Sequence, residues 1–318
     1  MTYRHIYGPV PSRRLGRSLG ISPIPDKTCN YSCVYCMLGR TDHMTSERQL
    51  FFPLEDIVAE LADALAHTLP PPDHISIVGN GEPTLYLRLG DLIDAIHRIS
   101  TIPVAVISNG ALLAEPDVRI ALAKADVVMT SFNAPDEQTF RRINRPSPCI
   151  SFDAVKQGLL AFARMERSGE LWVEVMLVKG LNDSPNALQR IRCFLQEVAP
   201  YRVFIDTPLR PPAEPWVQPI DRAGMAQAEE ILGITAREAG SDVGTFTVEA
   251  GADPLETLAA ICKRHPMRED QVAELLVNSG IDPLPVLDAL RHDGRFTAEL
   301  FEEQTFYLVR DDDGGRRL

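Results

Sequence analysis

The sequence predicts an α/β protein with a partial (β/α)6 parallel barrel and a small winged-helix-like domain after it. Up to about residue 240, six short apolar segments rich in β-branched residues alternate with amphipathic segments. Such runs are typical of strands buried on both faces, and helices between them imply parallel strands with right-handed crossovers. Six strands are two fewer than a closed eight-stranded barrel contains. We therefore expect an open barrel with its active site at the C-terminal ends of the strands.

The predicted strands and helices alternate along the chain. The six strand segments are 18–24, 74–79, 103–108, 126–131, 171–178 and 201–206. The helical segments are 54–69, 89–99, 115–124, 151–167, 184–198 and 220–239. In the first helix, one stripe carries the apolar side chains of Leu54, Ile57, Val58, Leu61 and Leu65. Residues 207–219 are dense in proline and predict an irregular segment across the rim of the barrel.

A second boundary is predicted near Gly251, which divides the chain into a barrel domain over 1–250 and a C-terminal domain over 251–318. Three short helical patterns and then a hairpin pattern follow this boundary, and this order resembles a winged helix-turn-helix. The last eight residues, DDDGGRRL, predict a polar, frayed tail. Residues 253–318 hold 14 acidic and eight basic side chains, a net charge of −6. We therefore expect a structural cap, or a module that contacts a protein or peptide, rather than a reader of DNA grooves.

The composition limits the classes of function. The chain has 318 residues, 45% of them hydrophobic, and a formal net charge of −12, which argues against a broadly basic nucleic-acid binder. Residues 1–17 contain four arginines and no acid, so this segment is either a solvated arm or a binding region for an anion such as RNA. The sequence shows no apolar run long enough to span a membrane and no signal-peptide pattern. We expect a cytoplasmic protein without a membrane partner.

Three of the six cysteines lie close together. Cys29, Cys33 and Cys36 form a CxxxCxxC motif directly after the first predicted strand, whereas the other cysteines are scattered. This spacing allows one loop to wrap three thiolates around a metal centre, and three ligands rather than four leave a position open for chemistry. From spacing alone, two alternatives remain: a zinc site with a distant fourth ligand such as His43, or three unrelated cysteines.

The motif resembles the hallmark of the radical S-adenosylmethionine (SAM) superfamily, in which an aromatic residue, here Tyr35, precedes the last cysteine. The resemblance implies that the three cysteines bind three irons of a [4Fe–4S] cluster and that SAM chelates the fourth. It further implies reductive cleavage of SAM to a 5′-deoxyadenosyl radical, which removes hydrogen from a substrate, and an external electron donor such as flavodoxin or ferredoxin.

Further motifs match the same family. The segment 79–84, GNGEPT, follows the second strand and resembles the family motif in which Glu binds the ammonium group of SAM. Polar residues at later strand ends resemble positions that contact the carboxylate and ribose of SAM, although the family often has Asp where Asn133 stands. The end of the fifth strand resembles the backbone that lies against adenine. The implied cofactor-binding residues are Tyr35, Gly81, Glu82, Asn109, Ser131, Asn133 and Val178.

A narrower resemblance covers residues 7 to about 240. The segments YGPVPSRRLGRSLG, CNYSCVYCMLGRT, GNGEPTLY and TPLRPPAEP resemble a radical SAM group related to tRNA wyosine-synthesis enzymes. Wyosine-synthesis enzymes carry a second three-cysteine cluster upstream of the first. Here no cysteine precedes Cys29, and this departure argues against wyosine synthesis itself.

Two functions of different classes follow from these patterns. The first is a radical SAM enzyme acting on an unidentified substrate, which could be a nucleotide in RNA, a peptide or protein, or a small metabolite. The second is a metal-binding regulator or scaffold that uses the acidic C-terminal module to hold a protein partner. The arginine-rich N-terminus favours an anionic substrate such as RNA, whereas the acidic module favours a protein or peptide partner.

Overall fold

A computed structural model of the chain describes residues 3–68, 70–234 and 253–309. Nine strands precede residue 207 in the described chain: β1 (Ile6–Ser12), β2 (Gly16–Ile21), β3 (Thr28–Cys29), β4 (His43–Met44), β5 (His74–Ile77), β6 (Val104–Ser108), β7 (Val127–Ser131), β8 (Glu170–Met176) and β9 (Arg202–Asp206). The mixed α/β class is confirmed, because each of the six predicted segments forms one of these strands. The two-residue strands β3 and β4 pair with each other beside the cysteine motif.

Seven strands form the main sheet, in the order β1-β2-β5-β6-β7-β8-β9. From β2 to β9 all neighbours are parallel, as predicted, whereas β1 is an antiparallel edge strand that the sequence analysis missed. Its sequence, IYGPVPS, contains two prolines and a glycine, which count against a strand by composition. Proline is tolerated here because an edge strand leaves part of its hydrogen-bonding capacity unused.

Seven helices accompany this sheet in the described residues before 235: α1 (Leu54–His67), α2 (Leu89–Ile99), α3 (Pro116–Leu122), α4 (Glu137–Ile143), α5 (Phe152–Arg164), α6 (Pro185–Val198) and α7 (Arg222–Leu232). Six of them match the predicted segments, with ends shifted by up to three residues except at the end of α7. The helix α7 was predicted to reach residue 239 but ends at Leu232, because Gly233 caps it in the left-handed conformation. Residues 235–239 lie outside the described residues. The helix α4 was not predicted, because its sequence, EQTFRRI, has only two apolar side chains, Phe140 and Ile143, and shows no clear apolar period. Its start carries a side-chain cap, since Asp136 Oδ1 accepts a hydrogen bond from Thr139 N at 2.8 Å.

Three helices and three strands form the C-terminal part: α8 (Pro254–Cys262), β10 (Met267–Arg268), α9 (Glu269–Asn278), α10 (Pro283–His292), β11 (Phe296–Phe301) and β12 (Gln304–Val309). The predicted helices and hairpin are present, and the short β10 adds a third antiparallel strand to the hairpin. We call residues 253–309 the C-terminal module. It has a hydrophobic core of its own, which includes Leu258, Val272, Leu276, Leu290 and Tyr307. The predicted boundary near Gly251 and the polar tail lie outside the described residues.

The C-terminal module contacts the main sheet through side chains near the end of α8. The Nζ of Lys263 lies 2.7 Å from the carboxylate of Asp26, and the guanidinium of Arg264 lies 4.5 Å from the ring centre of Tyr7. The backbone oxygen of Pro266 accepts a hydrogen bond from Arg210 Nε at 3.3 Å.

In the described part of the chain, no helix combines the length and apolar character needed to cross a bilayer.

Candidate functional site

The cysteine motif lies in a loop that follows β2 at the C-terminal edge of the parallel sheet. One side of this loop pairs with the segment after β5, because Thr28 forms a parallel bridge with Gly81. The other side rests on the end of α4, where the backbone N–H of Val34 donates to Ile143 O at 2.9 Å. The loop is therefore held by elements that are distant in sequence, and its position depends on the complete sheet.

Amide groups surround the first two thiols of the motif. The Sγ of Cys29 lies 3.4 Å from Tyr31 N and 3.6 Å from Asn109 Nδ2, and the Sγ of Cys33 lies 3.5 Å from Asn144 Nδ2. Burial raises the pKa of Cys29 well above its ordinary value, and the charge of Glu82 raises it further. Burial and then the charge of Cys36 raise the pKa of Cys33 to about 12.

The donor set of this loop fits an iron–sulfur cluster. Buried thiols with raised pKa values become thiolates when a metal supplies positive charge, and N–H groups pointing at sulfur stabilise that state. Across residues 3–68, 70–234 and 253–309, no three His, Cys, Asp or Glu side chains converge closely enough to hold a single metal ion. The alternative predicted from spacing, a mononuclear zinc site that includes His43, is therefore not formed in this part of the chain.

The carboxylate of Glu82 is almost completely buried, at 1% exposure, beside the cysteine loop. Its Oε1 accepts hydrogen bonds from Thr84 N at 3.0 Å, Thr84 Oγ1 at 2.5 Å and Ser108 Oγ at 2.8 Å, whereas Oε2 accepts from Asn109 N at 2.7 Å. Burial raises the pKa of Glu82, and hydrogen bonds from Thr84, Asn109 and Ser108 lower it in part. All of these donors are uncharged, so an ammonium group at Oε2 would supply the positive charge that they do not.

The glycine before Glu82 has a packing role. A Cβ atom at Gly81 would lie 1.9 Å from the backbone oxygen of Thr28, far inside contact distance. Only glycine therefore allows this segment to pair with the start of the cysteine loop. The same pairing lets Glu82 N donate to Thr28 O at 3.1 Å, which fixes the distance between the carboxylate and the loop.

Asn109 joins the first cysteine to the buried carboxylate. Its backbone N–H binds Glu82, while its side-chain Nδ2 lies near Cys29 Sγ and donates to Asn30 Oδ1 at 2.7 Å. Its Oδ1 accepts from Ala111 N at 2.9 Å, which fixes the orientation of the amide. The structure thus brings Cys29, Glu82 and Asn109 into one hydrogen-bonded group, although the three residues come from different strand ends.

Tyr35 and Asn133 form a second pair at the same edge of the sheet. The Nδ2 of Asn133 donates to Tyr35 Oη at 2.7 Å, and its Oδ1 accepts from Met176 N at 2.8 Å. Burial raises the pKa of Tyr35 well above its ordinary value, with further contributions from the charges of Cys33 and Glu174. Ser131 ends β7 and pairs in register with Glu174 on β8. The tyrosine of the motif is therefore positioned by the ends of β7 and β8.

The proline-dense segment 207–219 covers one face of the cysteine loop. Val217 packs with Val34 and Val178, and all three side chains are buried. The backbone N–H of Glu214 donates to Val34 O at 3.1 Å, and its carboxylate, 5% exposed, pairs with the guanidinium groups of Arg40 and Arg145. We call Glu214, Arg40 and Arg145 the loop clasp, because they tie this segment to both sides of the cysteine loop.

The loop clasp predicts a pH effect on stability. Hydrogen bonds from Arg40 and Arg145 hold the pKa of Glu214 below its ordinary value of 4.5. A lowered pKa means that this stabilisation is present above the ordinary value and is lost as pH falls through the folded-state pKa. In thermal melts of the cluster-free protein, Glu214→Gln should lower the free energy of unfolding at neutral pH by about 1–2 kcal/mol and reduce the loss on acidification. The exposed Glu230→Gln is the matched control, and an equal effect there would contradict this role.

Several polar residues of the site were not recognised from the sequence. Asn144 contacts Cys33, Asn30 binds Asn109, and the buried Asn182 fixes the backbone after β8 by accepting from Val178 N at 2.8 Å. No motif marks Asn144 or Asn182. Asn144 reaches Cys33 because it ends the helix α4, which was not predicted. Asn30 reaches Asn109 because the segments after β2 and β6 lie side by side. The available signal was weak: Asn30 lies inside the cysteine motif itself.

Comparison with known proteins gives both a family and a fold. Residues 24–190 match the family described as the Radical SAM superfamily. A UPF0026 protein of Methanocaldococcus jannaschii is 33% identical over 313 residues, which cover 95% of this chain and 95% of that protein. The similarity to this relative therefore extends into the C-terminal module and is not confined to the cysteine motif.

Two solved structures share the fold at low sequence identity. TYW1 with a lysine–pyruvate adduct bound has a TM-score of 0.54 and 17% identity, and the match covers 68% of this chain and 72% of that one. Streptococcus suis SuiB bound to S-adenosylmethionine has a TM-score of 0.50 and 18% identity, over 66% of this chain and 45% of that one. At such identities these likenesses show the fold alone.

Proposed function

This chain belongs to the radical SAM superfamily, and from that premise we propose that Cys29, Cys33 and Cys36 bind three irons of its [4Fe–4S] cluster. The predicted enzyme class and both cofactors, the cluster and SAM, are confirmed by the family match. These cofactors supply an electron-driven cleavage of SAM to a 5′-deoxyadenosyl radical, which removes hydrogen from a substrate. An enzyme of this class replaces the alternative of a metal-binding regulator or scaffold.

The observation that carries the residue assignments is the link through Asn109 between Cys29 and Glu82. A ligand that meets both Cys29 and the Glu82 carboxylate would need an ammonium group beside a group that can coordinate iron, and the amino acid end of SAM has both. We assign the ammonium group to Glu82, with Gly81 keeping that carboxylate close to the cysteine loop. Asn109 orients the same end of the cofactor.

The remaining predicted residues are assigned to the carboxylate, the ribose and the adenine of SAM. Ser131 and Asn133 lie at the end of β7 and are assigned to the ribose and carboxylate, with Tyr35 held beside them by its hydrogen bond to Asn133. The N–H and C=O of Val178 are bonded to Asn182 and Leu181, so its backbone offers a contact surface for adenine rather than hydrogen bonds. The apolar cover of Val34, Val178 and Val217 would exclude water from this side.

We propose that the main sheet is a partial barrel. Its edge strands β1 and β9 do not pair, yet Arg13 and Arg14 in the turn after β1 form ion pairs with Asp206 at the end of β9. Ion pairs between the two edges support a curled, open sheet.

We propose that the chain divides into two domains, residues 1–250 and residues 251–318. The second domain is proposed to be winged-helix-like, because three helices precede a hairpin.

Radical SAM enzymes need an electron donor and a substrate. We propose a flavodoxin or ferredoxin as the donor. A protein or peptide partner at the C-terminal module is supported by its exposed apolar side chains Val277, Leu284 and Leu300. RNA at the N-terminus has weaker support, because Arg13 and Arg14 are ion-paired within the fold and do not form a free basic arm.

The experiment that tests the proposed function is anaerobic turnover of the full chain with dithionite and SAM after cluster reconstitution. We expect a brown protein with broad absorption in the visible range, and 5′-deoxyadenosine together with methionine as products, formed slowly without substrate. Liquid chromatography with mass spectrometry separates these products. Formation of S-adenosylhomocysteine without 5′-deoxyadenosine would instead indicate methyl transfer and would overturn the simple hydrogen-abstraction mechanism.

A further inference from the structure

A cleft of about 340 Å³ lies between the segment after β9 and the C-terminal module. Its walls come from three parts of the chain: the turn after β1, residues 207–220, and the module from Arg268 to Phe306. Its volume is in the range of sites that bind small molecules. The cysteine motif is not among its lining residues, so the cleft is distinct from the site proposed for the cluster.

Three arginines, Arg13, Arg210 and Arg268, line this cleft, one from each part of its wall. The chain as a whole has a net charge of −12, so three guanidinium groups around one small cleft stand out against its acidic background. One carboxylate, that of Glu302, is also among the lining residues. The cleft therefore offers an excess of positive charge to an anion, with donor groups that match carboxylate and phosphate oxygens.

Two of these arginines can bind a ligand without leaving a buried carboxylate unpaired. Arg13 Nη2 lies 3.1 Å from Asp206, but Asp206 also receives Arg14 Nη2 at 2.8 Å and keeps that partner if Arg13 turns toward a ligand. Arg268 Nε lies 2.9 Å from Asp270, whose side chain is 68% exposed and is hydrated when released. The exposed Arg268–Asp270 pair contributes little free energy, so its exchange for a ligand anion costs little. The Arg13–Asp206 pair is part-buried, at 26% and 12% side-chain exposure, and there the remaining bond to Arg14 keeps the carboxylate paired.

The rest of the wall suits the body of an organic molecule. The side chains of Leu209, which is 43% exposed, and Phe301 present apolar surface, and the buried ring of Phe306 lies 6.3 Å from that of Phe301 in an edge-on arrangement. Gln304 adds an amide that can donate or accept. An inorganic ion would use the arginines alone, whereas an organic anion would use both parts of the wall.

We propose that this cleft binds a small organic anion, whose carboxylate or phosphate group is held by Arg13, Arg210 and Arg268 and whose apolar part lies against Leu209 and Phe301. The anionic group can be a carboxylate or a phosphate, and the two arms of the test distinguish between them. The inference is independent of the radical chemistry, because neither the cluster nor SAM is needed for the binding.

The test is isothermal titration calorimetry of the full chain with phenyl phosphate in one arm and phenylacetate in the other. We expect at least one of them to bind with a dissociation constant between micromolar and millimolar. Arg268→Gln and Arg210→Gln should each weaken that binding at least tenfold. Arg268→Lys should weaken it less than Arg268→Gln, because lysine keeps the positive charge but lacks the planar guanidinium that binds two oxygens at once. The tighter probe identifies the preferred anionic group.

Arg98→Gln is the matched control, since Arg98 is an exposed arginine on α2 that does not line the cleft. The dissociation constant of this variant for each probe should stay within twofold of that of the unmodified chain. Thermal melts show whether each variant is folded, and if Arg210→Gln unfolds through loss of its bond to Pro266, Arg268→Gln decides the question. The proposal is overturned if neither probe binds at millimolar concentration, or if Arg98→Gln weakens binding as much as Arg268→Gln. The SAM cleavage assay reports separately on the proposed function.

Discussion

Alanine at Cys29, Cys33 or Cys36 should remove most of the iron from the reconstituted protein and abolish SAM cleavage. Each thiolate is assigned to a different iron, so the cluster loses one of only three protein ligands. No neighbouring group is available as a substitute in the described chain, where no further His, Cys, Asp or Glu completes a metal-binding group. Iron and sulfide content per chain, the visible absorption, and 5′-deoxyadenosine formation are the measurements.

Cys149→Ala is the matched control for this prediction. Cys149 is exposed, and its Sγ lies 3.4 Å from Ser147 Oγ. The variant should keep its iron and its SAM cleavage close to the level of the unmodified chain. If it lost iron as completely as the three motif variants, the assignment of ligands would be wrong. Thermal melts of the cluster-free variants separate loss of ligand from loss of fold.

The sheet could be predicted because its strands are buried on both faces. Strands of this kind, such as VAVIS in β6 and VVMTS in β7, are short apolar runs that can be recognised from the sequence alone. The edge strand β1 lacks that pattern, since one side of it has no neighbouring strand and its prolines are tolerated there. The short helix α4 was not predicted, because its start depends on the Asp136 cap rather than on an apolar period.

The site was predictable only where motif and strand end coincide. The cysteines, Glu82 and Asn109 lie in the segments that follow β2, β5 and β6, and parallel strands bring their C-terminal ends to one edge. Asn144 and Glu214 belong to the same site through contacts that span more than 100 positions of the chain. Such contacts depend on where α4 ends and on the path of residues 207–219. No local pattern encodes that path, so it had to come from the structure.

Glu82→Gln should weaken SAM binding by roughly tenfold to a hundredfold. The carboxylate is assigned to the ammonium group of SAM, and a hydrogen bond to a charged group contributes about 1.5–3 kcal/mol. Glutamine is preferred to alanine, because alanine would leave the donors of Thr84, Ser108 and Asn109 without their buried acceptor. Glutamine can keep its oxygen toward Thr84 and Ser108, so it removes the negative charge and only the hydrogen bond from Asn109 N. Calorimetric titration of SAM into the anaerobic, cluster-loaded protein measures the dissociation constant.

Thr84→Val separates the charge of Glu82 from its position. This variant removes the bond from Thr84 Oγ1 to Oε1 but keeps the bond from Thr84 N and the full carboxylate. If the charge binds the ammonium group, its dissociation constant for SAM should rise by much less than that of Glu82→Gln. If Thr84→Val weakened SAM binding as strongly as Glu82→Gln, the carboxylate would act only by positioning Ser108 and Asn109. Unchanged SAM binding in Glu82→Gln would remove Glu82 from the cofactor site altogether, because its burial and its four donors would then serve only the fold.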